Sequence, residues 1–278
     1  MKKLAPTAVA GVVGLTLALS GAAVARSQAT AVDVSTTMTA AQEVPTPKGD
    51  VSNARGTFSA TITKSGSGAV LEWRLTFSGL TGRAIAAHIH IAPRGQAGNV
   101  AVPLCTSCDS GMTGRANINA TVLNAILSGN AYANVHTPTN GAGEIRGQVA
   151  VVDTARTALT ARQEVPRPKG NVSRARGTFT ATVTKSGPSA VLSWRLTFSR
   201  LTGRATQAHI HIGKRGKAGP VAVALCAPCR SGAHGRKTMR GRALAALQSG
   251  RAYVNVHTRR NPLGEIRGQL PAVALTIS

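Results

Sequence analysis

The sequence predicts an all-β fold of two tandem antiparallel β-sandwich domains, Greek-key-like, each with one short helical insertion. Three observations carry that prediction. Residues 36–149 align without a gap on residues 157–270 at a constant offset of 121, with roughly two-thirds of the positions identical. A unit of that size buries its own core, so the repeat marks two whole domains and not a solenoid. Inside each unit the apolar residues recur with period two: Leu71, Trp73, Leu75 and Phe77 fall on one face, Glu72, Arg74 and Thr76 on the other, and Leu192, Trp194, Leu196 and Phe198 repeat the pattern. Finally, the sequence holds no glycine-rich phosphate loop, dinucleotide fingerprint or Gly-x-Ser-x-Gly elbow, and aromatic residues make up only 3% of it. The common nucleotide and hydrolase classes and the aromatic single-strand-binding platforms are thereby disfavoured.

Lys2 and Lys3 precede an apolar stretch from Leu4 to Leu19 and then Ala23-Val24-Ala25, the pattern of a secretory signal with a small-x-small cleavage site. Residues 1–25 are read as a signal peptide, 26–35 as a leader, 36–150 as domain 1, 151–156 as a short linker, 157–272 as domain 2 and 273–278 as a tail. Pro6, Gly11, Gly14 and Thr16 interrupt the apolar stretch, which argues against an uncleaved anchor. The expected location is extracellular or envelope-associated, with no membrane span after signal cleavage.

Runs rich in Thr, Val and Ile, such as Gly56 to Thr63, are bounded by Lys-Ser-Gly and Ser-Gly-Leu-Thr-Gly punctuation, as short antiparallel strands are. One segment departs from this. Thr121 to Gly129, matched by Arg242 to Gly250, spaces its apolar residues by three and four and ends in glycine, which predicts a short helix.

Five separated motifs occur in the same order in both copies. In the first they are Ala40-Ala41-Gln42-Glu43-Val44-Pro45, Trp73 to Gly82, Ala87-His88-Ile89-His90, Asn134-Val135-His136-Thr137 and Gly143-Glu144-Ile145-Arg146-Gly147-Gln148. The second copy departs from them at Arg162, in the register of Ala41, and at Arg200, in that of Gly79. Together these motifs resemble the CHRD domain, a module first described in chordin and found in exported bacterial proteins. The resemblance implies an extracellular β-sandwich module and supplies no activity.

Six of the seven histidines form two equivalent sets, His88/His90/His136 and His209/His211/His257; His234 stands apart. On a strand His88 and His90 share a face, as do Tyr132, Asn134 and His136. If the two strands are neighbours, three imidazoles converge, a donor set suited to zinc or copper. The arrangement is analogous at fold level to copper-zinc superoxide dismutase, although each repeat lacks the further histidines and the Asp of that pattern. The competing reading is a hydrogen-bonded network that fixes strand register, in which Glu144 and Arg146, and likewise Glu265 and Arg267, share a face and pair with facing strands. Glu43 and Glu164 could complete either arrangement. No pair of acids is set up for opposite catalytic roles, so no catalytic residue is expected.

The cysteines lie at Cys105/Cys108 and Cys226/Cys229. In an exported chain this spacing reads as one small-loop disulfide per domain, with redox activity and thiolate metal ligation as the alternatives. Charge divides the copies sharply. Arg26 to Ala150 holds nine basic and six acidic residues, whereas Val151 to Ser278 holds twenty-two and three. Arg236, Lys237, Arg240, Arg242, Arg259 and Arg260 are among the added cations, and outside the cell such a surface attracts polyanions. The functional expectation is therefore an exported non-catalytic binding or structural module whose basic second domain adheres to an anionic envelope polymer or polysaccharide, or to another extracellular protein. The alternative is a copper- or zinc-binding β-sandwich with one three-histidine site per domain. Sequence-specific DNA recognition is not expected, because no recognition helix is present.

Overall fold

A computed structural model describes residues 30–277; the expected signal peptide at 1–25 lies outside the described residues. The first repeat forms β1 (Ala31–Thr39), β2 (Arg55–Ser65), β3 (Gly68–Ser78), β4 (Ala86–Ile91), β5 (Asn99–Cys105), β6 (Thr113–Ile118), β7 (Ala131–His136) and β8 (Ile145–Gln148), with helix α1 (Ala120–Ser128) between β6 and β7. The second repeat forms β9 (Ala150–Thr160), β10 (Arg176–Ser186), β11 (Ser189–Ser199), β12 (Ala205–Ile212), β13 (Val221–Cys226), β14 (Ala233–Arg240), β15 (Ala252–Thr258) and β16 (Ile266–Gln269), with α2 (Gly241–Gln248) in the corresponding place.

In each repeat the strands form two antiparallel layers. The first has the orders β1-β2-β3-β6 and β5-β4-β7-β8, joined at one corner where Thr39 pairs with Arg146. The second has β9-β10-β11-β14 and β13-β12-β15-β16, joined where Thr160 pairs with Arg267. The period-two residues of β2 and β3 point between the layers: Phe58, Ile62, Leu71 and Leu75 are fully buried with Ile89, Val135 and Ile145 of the other layer. Burying each such side chain contributes on the order of 1.5–3 kcal/mol. The layers approach so closely at Gly56 that a Cβ there would sit 2.9 Å from both Ile145 and Met38. The predicted helix begins at an N-cap, Asn119, whose side chain accepts from Val122 N–H at 3.0 Å, and it stops at Gly129 in the left-handed region (φ 77°).

The segment read as a linker is part of a strand. Residues 151–156 lie in β9, which pairs with β10 along one edge and with β1 along the other through Asp33↔Val152, Val34↔Val151 and Ser35↔Ala150. Its apolar residues Val151 and Ala155 alternate inward and are buried, so the connection is a central strand. The order β6-β3-β2-β1-β9-β10-β11-β14 is one continuous layer running through both repeats. Residues 31–35 of the expected leader belong to β1. In the expected tail Val273 and Leu275 are buried and the Ala274 N–H donates to the Asp153 carboxylate. Lys185 also crosses the junction, its ammonium donating at 3.3 Å to Leu127 O in the last turn of α1, where the helix dipole favours a cation.

Candidate metal centre

The second layer of each repeat has one apolar and one polar face. Ala87, Ile89, Ala131, Ala133, Val135 and Ile145 face the core at 0% exposure. Their neighbours along the strands, His88, His90, Tyr132, Asn134, His136, Arg146 and Gln148, face away from it. The register sets them side by side, with Ala86 opposite His136, His88 opposite Asn134, His90 opposite Tyr132 and Asn134 opposite Arg146. This polar face is nevertheless buried, because loops fold over it. Arg146 donates to Gln96 O at 2.8 Å and Pro93 O at 3.1 Å, and Gln148 donates to Ala92 O and Gly129 O, both at 2.9 Å.

His88, His90 and His136 converge with one ligand nitrogen each, all within 4.8 Å of one another, and His209, His211 and His257 do the same. The outer nitrogens are fixed by backbone carbonyls: His90 Nδ1 donates to Gly98 O at 2.8 Å, His136 Nδ1 to Gly141 O at 3.0 Å, His211 Nδ1 to Gly219 O at 2.9 Å and His257 Nδ1 to Pro262 O at 2.9 Å. A carbonyl only accepts, so each of these Nδ1 atoms carries the proton and each Nε2 is a bare lone pair. In the first repeat His88 Nδ1 lies 3.0 Å from His136 Nε2, and His90 Nε2 is buried without a partner. In the second, His209 Nδ1, His211 Nε2 and His257 Nε2 are all buried without a partner. Two tetrahedral donors with bonds of 2.0–2.1 Å to zinc stand about 3.3 Å apart, so modest ring rotation closes either set around an ion.

The electrostatics keep the rings neutral. Burial, together with the neighbouring rings of His136 and His90, pushes His88 down to about 4. Burial also brings His257 to about 4 and lowers His90, His136, His209 and His211. A second layer orients the set: His90 stacks on Tyr132 with centroids 4.8 Å apart, and the Arg146 guanidinium lies 3.4 Å over the other side of that ring, as Arg267 does over Tyr253.

Glu144 and Arg146 are both hydrogen-bonded, as the network reading expects, each to its own partners. Glu144 precedes β8, so strand alternation does not place it; its carboxylate accepts from Thr81 N–H at 2.6 Å, Thr137 Oγ1 at 2.6 Å and Asn140 Nδ2 at 2.9 Å, and from Thr81 Oγ1. Burial raises its pKa, but these hydrogen bonds outweigh that and hold it below the ordinary value. Glu265 repeats the clamp on Thr202, Thr258 and Asn261. The acid in the field of Arg146 is Glu43, and in that of Arg267 it is Glu164. Burial raises both to about 7, against a hydrogen bond from the next backbone N–H and the guanidinium charge.

Residues 34–149 and 155–270 each match the family model of the CHRD domain. The chain belongs to the CHRD family. Its members are extracellular β-domains without enzymatic assignment, and no curated protein matches the chain. Each CHRD domain carries one disulfide, Cys105–Cys108 or Cys226–Cys229, so neither pair offers thiolates to a metal. Among the described residues no helix is long and apolar enough to cross a membrane.

The CHRD fold does not gather the six cations singled out by charge. Arg236 and Arg240 share the outer face of β14, Lys237 points to the other side and is partly buried, and Arg242 opens α2. Arg259 and Arg260 sit exposed on the loop between β15 and β16, Arg260 beside Gly170. Sequence reasoning placed Tyr132 and Asn134 on the histidine face without giving them a part. The carbonyls of Gly98, Gly141, Gly219 and Pro262 carry no sequence signal, because every residue has one.

Proposed function

We propose that each CHRD domain binds one zinc or copper ion on its three histidines, making the protein an extracellular two-site metal-binding module. One observation carries the reading: in the second domain three buried imidazole nitrogens face one another with no hydrogen-bond partner. A buried polar atom left unsatisfied costs about 1–3 kcal/mol, and these three, unlike other orphaned atoms of the same face such as Glu164 Oε2 and Asn255 Oδ1, converge within 4.8 Å of one another. A divalent ion satisfies all three together. It needs neutral imidazoles, and two of the three rings in each set are oriented by backbone carbonyls. Three protein ligands leave a further coordination position, and His88 and His209, the partly exposed members of each set, mark the side from which an ion enters.

The test is elemental analysis of the protein purified from its export compartment, beside a His88→Ala/His209→Ala variant. Near two equivalents of zinc or copper, lost in the variant, is the expected result. No metal in either, with no uptake on titration, overturns the reading.

A second reading follows from the charge. With twenty-two basic and three acidic residues from Val151 onward, the second domain is an adhesive module for extracellular polyanions, secreted or held at the cell envelope. Its affinity for an anionic polymer should fall steeply with added salt.

A further inference from the structure

The continuous layer turns one face to solvent. Asp33 and Val152 are cross-strand partners, so the outer faces of the two repeats lie on the same side and form a single surface. A shallow groove crosses each half, about 700 Å³ in the first repeat and about 620 Å³ in the second. The two are lined at equivalent positions and differ in charge. In the first, Asp33 and Glu72 offset Arg74 and Arg115. In the second, Thr154 and Ser193 stand where those acids were, Arg156 replaces Ser35 and His234 replaces Thr113. Arg156, Arg195 and Arg236 then line a groove that contains no acid.

The register orders these cations. Arg156, Thr180, Arg195 and His234 form one line across β9, β10, β11 and β14, and Thr182, Ser193 and Arg236 lie in the next row. With strands about 4.8 Å apart, Arg156 and Arg195 stand about 10 Å from one another and Arg236 lies about 7 Å further along the strand direction. Hydroxyls of Thr180, Thr182 and Ser193 fill the spaces between the guanidinia.

We propose that this groove of the second domain is a binding site for an acidic polysaccharide. The inference rests on the adhesive reading of that domain and adds to it a location and a ligand class. Planar guanidinia take carboxylate or sulfate groups through paired hydrogen bonds, and the rows of Thr and Ser suit the hydroxyls of the intervening sugar. A nucleic acid has the charge but gains less here. Trp194 beneath the groove is only 5% exposed, so no aromatic surface is offered for base stacking.

The experiment measures binding of the full chain to polygalacturonate, with dextran as the neutral control and a DNA oligonucleotide as the competing polyanion. An R156S/R195S/R236S variant is compared with R242S/R259S/R260S, which removes the same charge from other exposed positions. All six are surface residues, whose replacement leaves the melting temperature nearly unchanged. The groove variant is expected to lose affinity roughly tenfold or more, and the control no more than about threefold. In the converse variant D33T/E72S, clearing the acids of the first groove raises binding. Equal losses in the two triple variants overturn the groove while leaving the adhesive reading intact. Absence of polyanion binding by the parent overturns both. DNA bound more tightly than polygalacturonate, through the same three arginines, overturns the ligand class.

Discussion

The Nδ1–H of His211 donates to the carbonyl of Gly219 at 2.9 Å, which leaves Nε2 as the only lone pair on that ring. The loop between β12 and β13 thus sets the tautomer of a residue eight positions away. The same device, on Pro262, acts on His257. Their ligand nitrogens are committed as acceptors before any ion arrives, and this separates the site from a surface cluster of histidines.

Proton competition should accordingly be weak. An exposed imidazole titrates near 6.5 and releases metal as it does so, whereas His88 and His257 are held at about 4, chiefly by burial. Half-release of bound zinc is expected below about pH 5.5 when the loaded protein is dialysed across a pH series. Release centred at 6.5 or above would show that the rings are solvated and protonate freely.

Glu144 should act on the site at a distance. It ties Thr81, before β4, to Thr137 and Asn140 on the loop whose Gly141 carbonyl holds His136. Glu144→Ala is expected to cost about 2–4 kcal/mol of stability, because four buried or half-buried donors on three residues lose their acceptor. It should also weaken zinc binding in the first domain about 10–100-fold, with the second domain unaffected. Glu144→Gln, which keeps one carbonyl acceptor, should recover part of both in calorimetric titrations. Unchanged affinity in the alanine variant would reduce Glu144 to a loop staple with no bearing on the histidines.

The strand period and the helix were legible in the sequence because each is a local pattern of spacing, and the repeat and both histidine sets because the second copy restates the first at a constant offset. What was not legible depends on partners distant along the chain. Val149 to Arg156 alternates as a strand does, yet its short apolar character reads equally as a linker until β1 is seen on its free edge. Period two put Glu144 in a polar network, but its partners Thr81, Thr137 and Asn140 lie outside the strands, so no strand rule names them. Glu43 reaches the field of Arg146 from the segment just past β1, about a hundred positions away, and no spacing rule spans that distance.

Glu43 and Glu164 should make stability fall as pH rises. Their folded pKa is about 7 against an ordinary 4.5, so the folded protein holds these protons more tightly than the unfolded chain does. The stability they contribute is full below 4.5 and is lost as pH rises through about 7, by at most about 3 kcal/mol per group before allowing for solvent access. The buried histidines act oppositely, weakening the fold as pH drops below 6.5, so the carboxyls must be isolated by comparison. An E43Q/E164Q variant retains the histidines. Its melting temperature relative to the parent is expected to climb from pH 5 to pH 8, and a constant difference would contradict the raised pKa values.

The junction makes a prediction that distinguishes a central strand from a connector. Val151 is 0% exposed, with Val34 of β1 on one side and Lys185 of β10 on the other. In a linker, Val151→Ser would shift stability by no more than about 0.5 kcal/mol. In β9 it removes two buried methyl groups and places a hydroxyl between the layers, at a cost of about 2–3 kcal/mol. Because β9 belongs to the layer that runs through both repeats, that loss should lower a single calorimetric transition whose van't Hoff and calorimetric enthalpies agree. Two separate transitions in the parent, with only one displaced in the variant, would mean that the β1–β9 pairing does not couple the two domains.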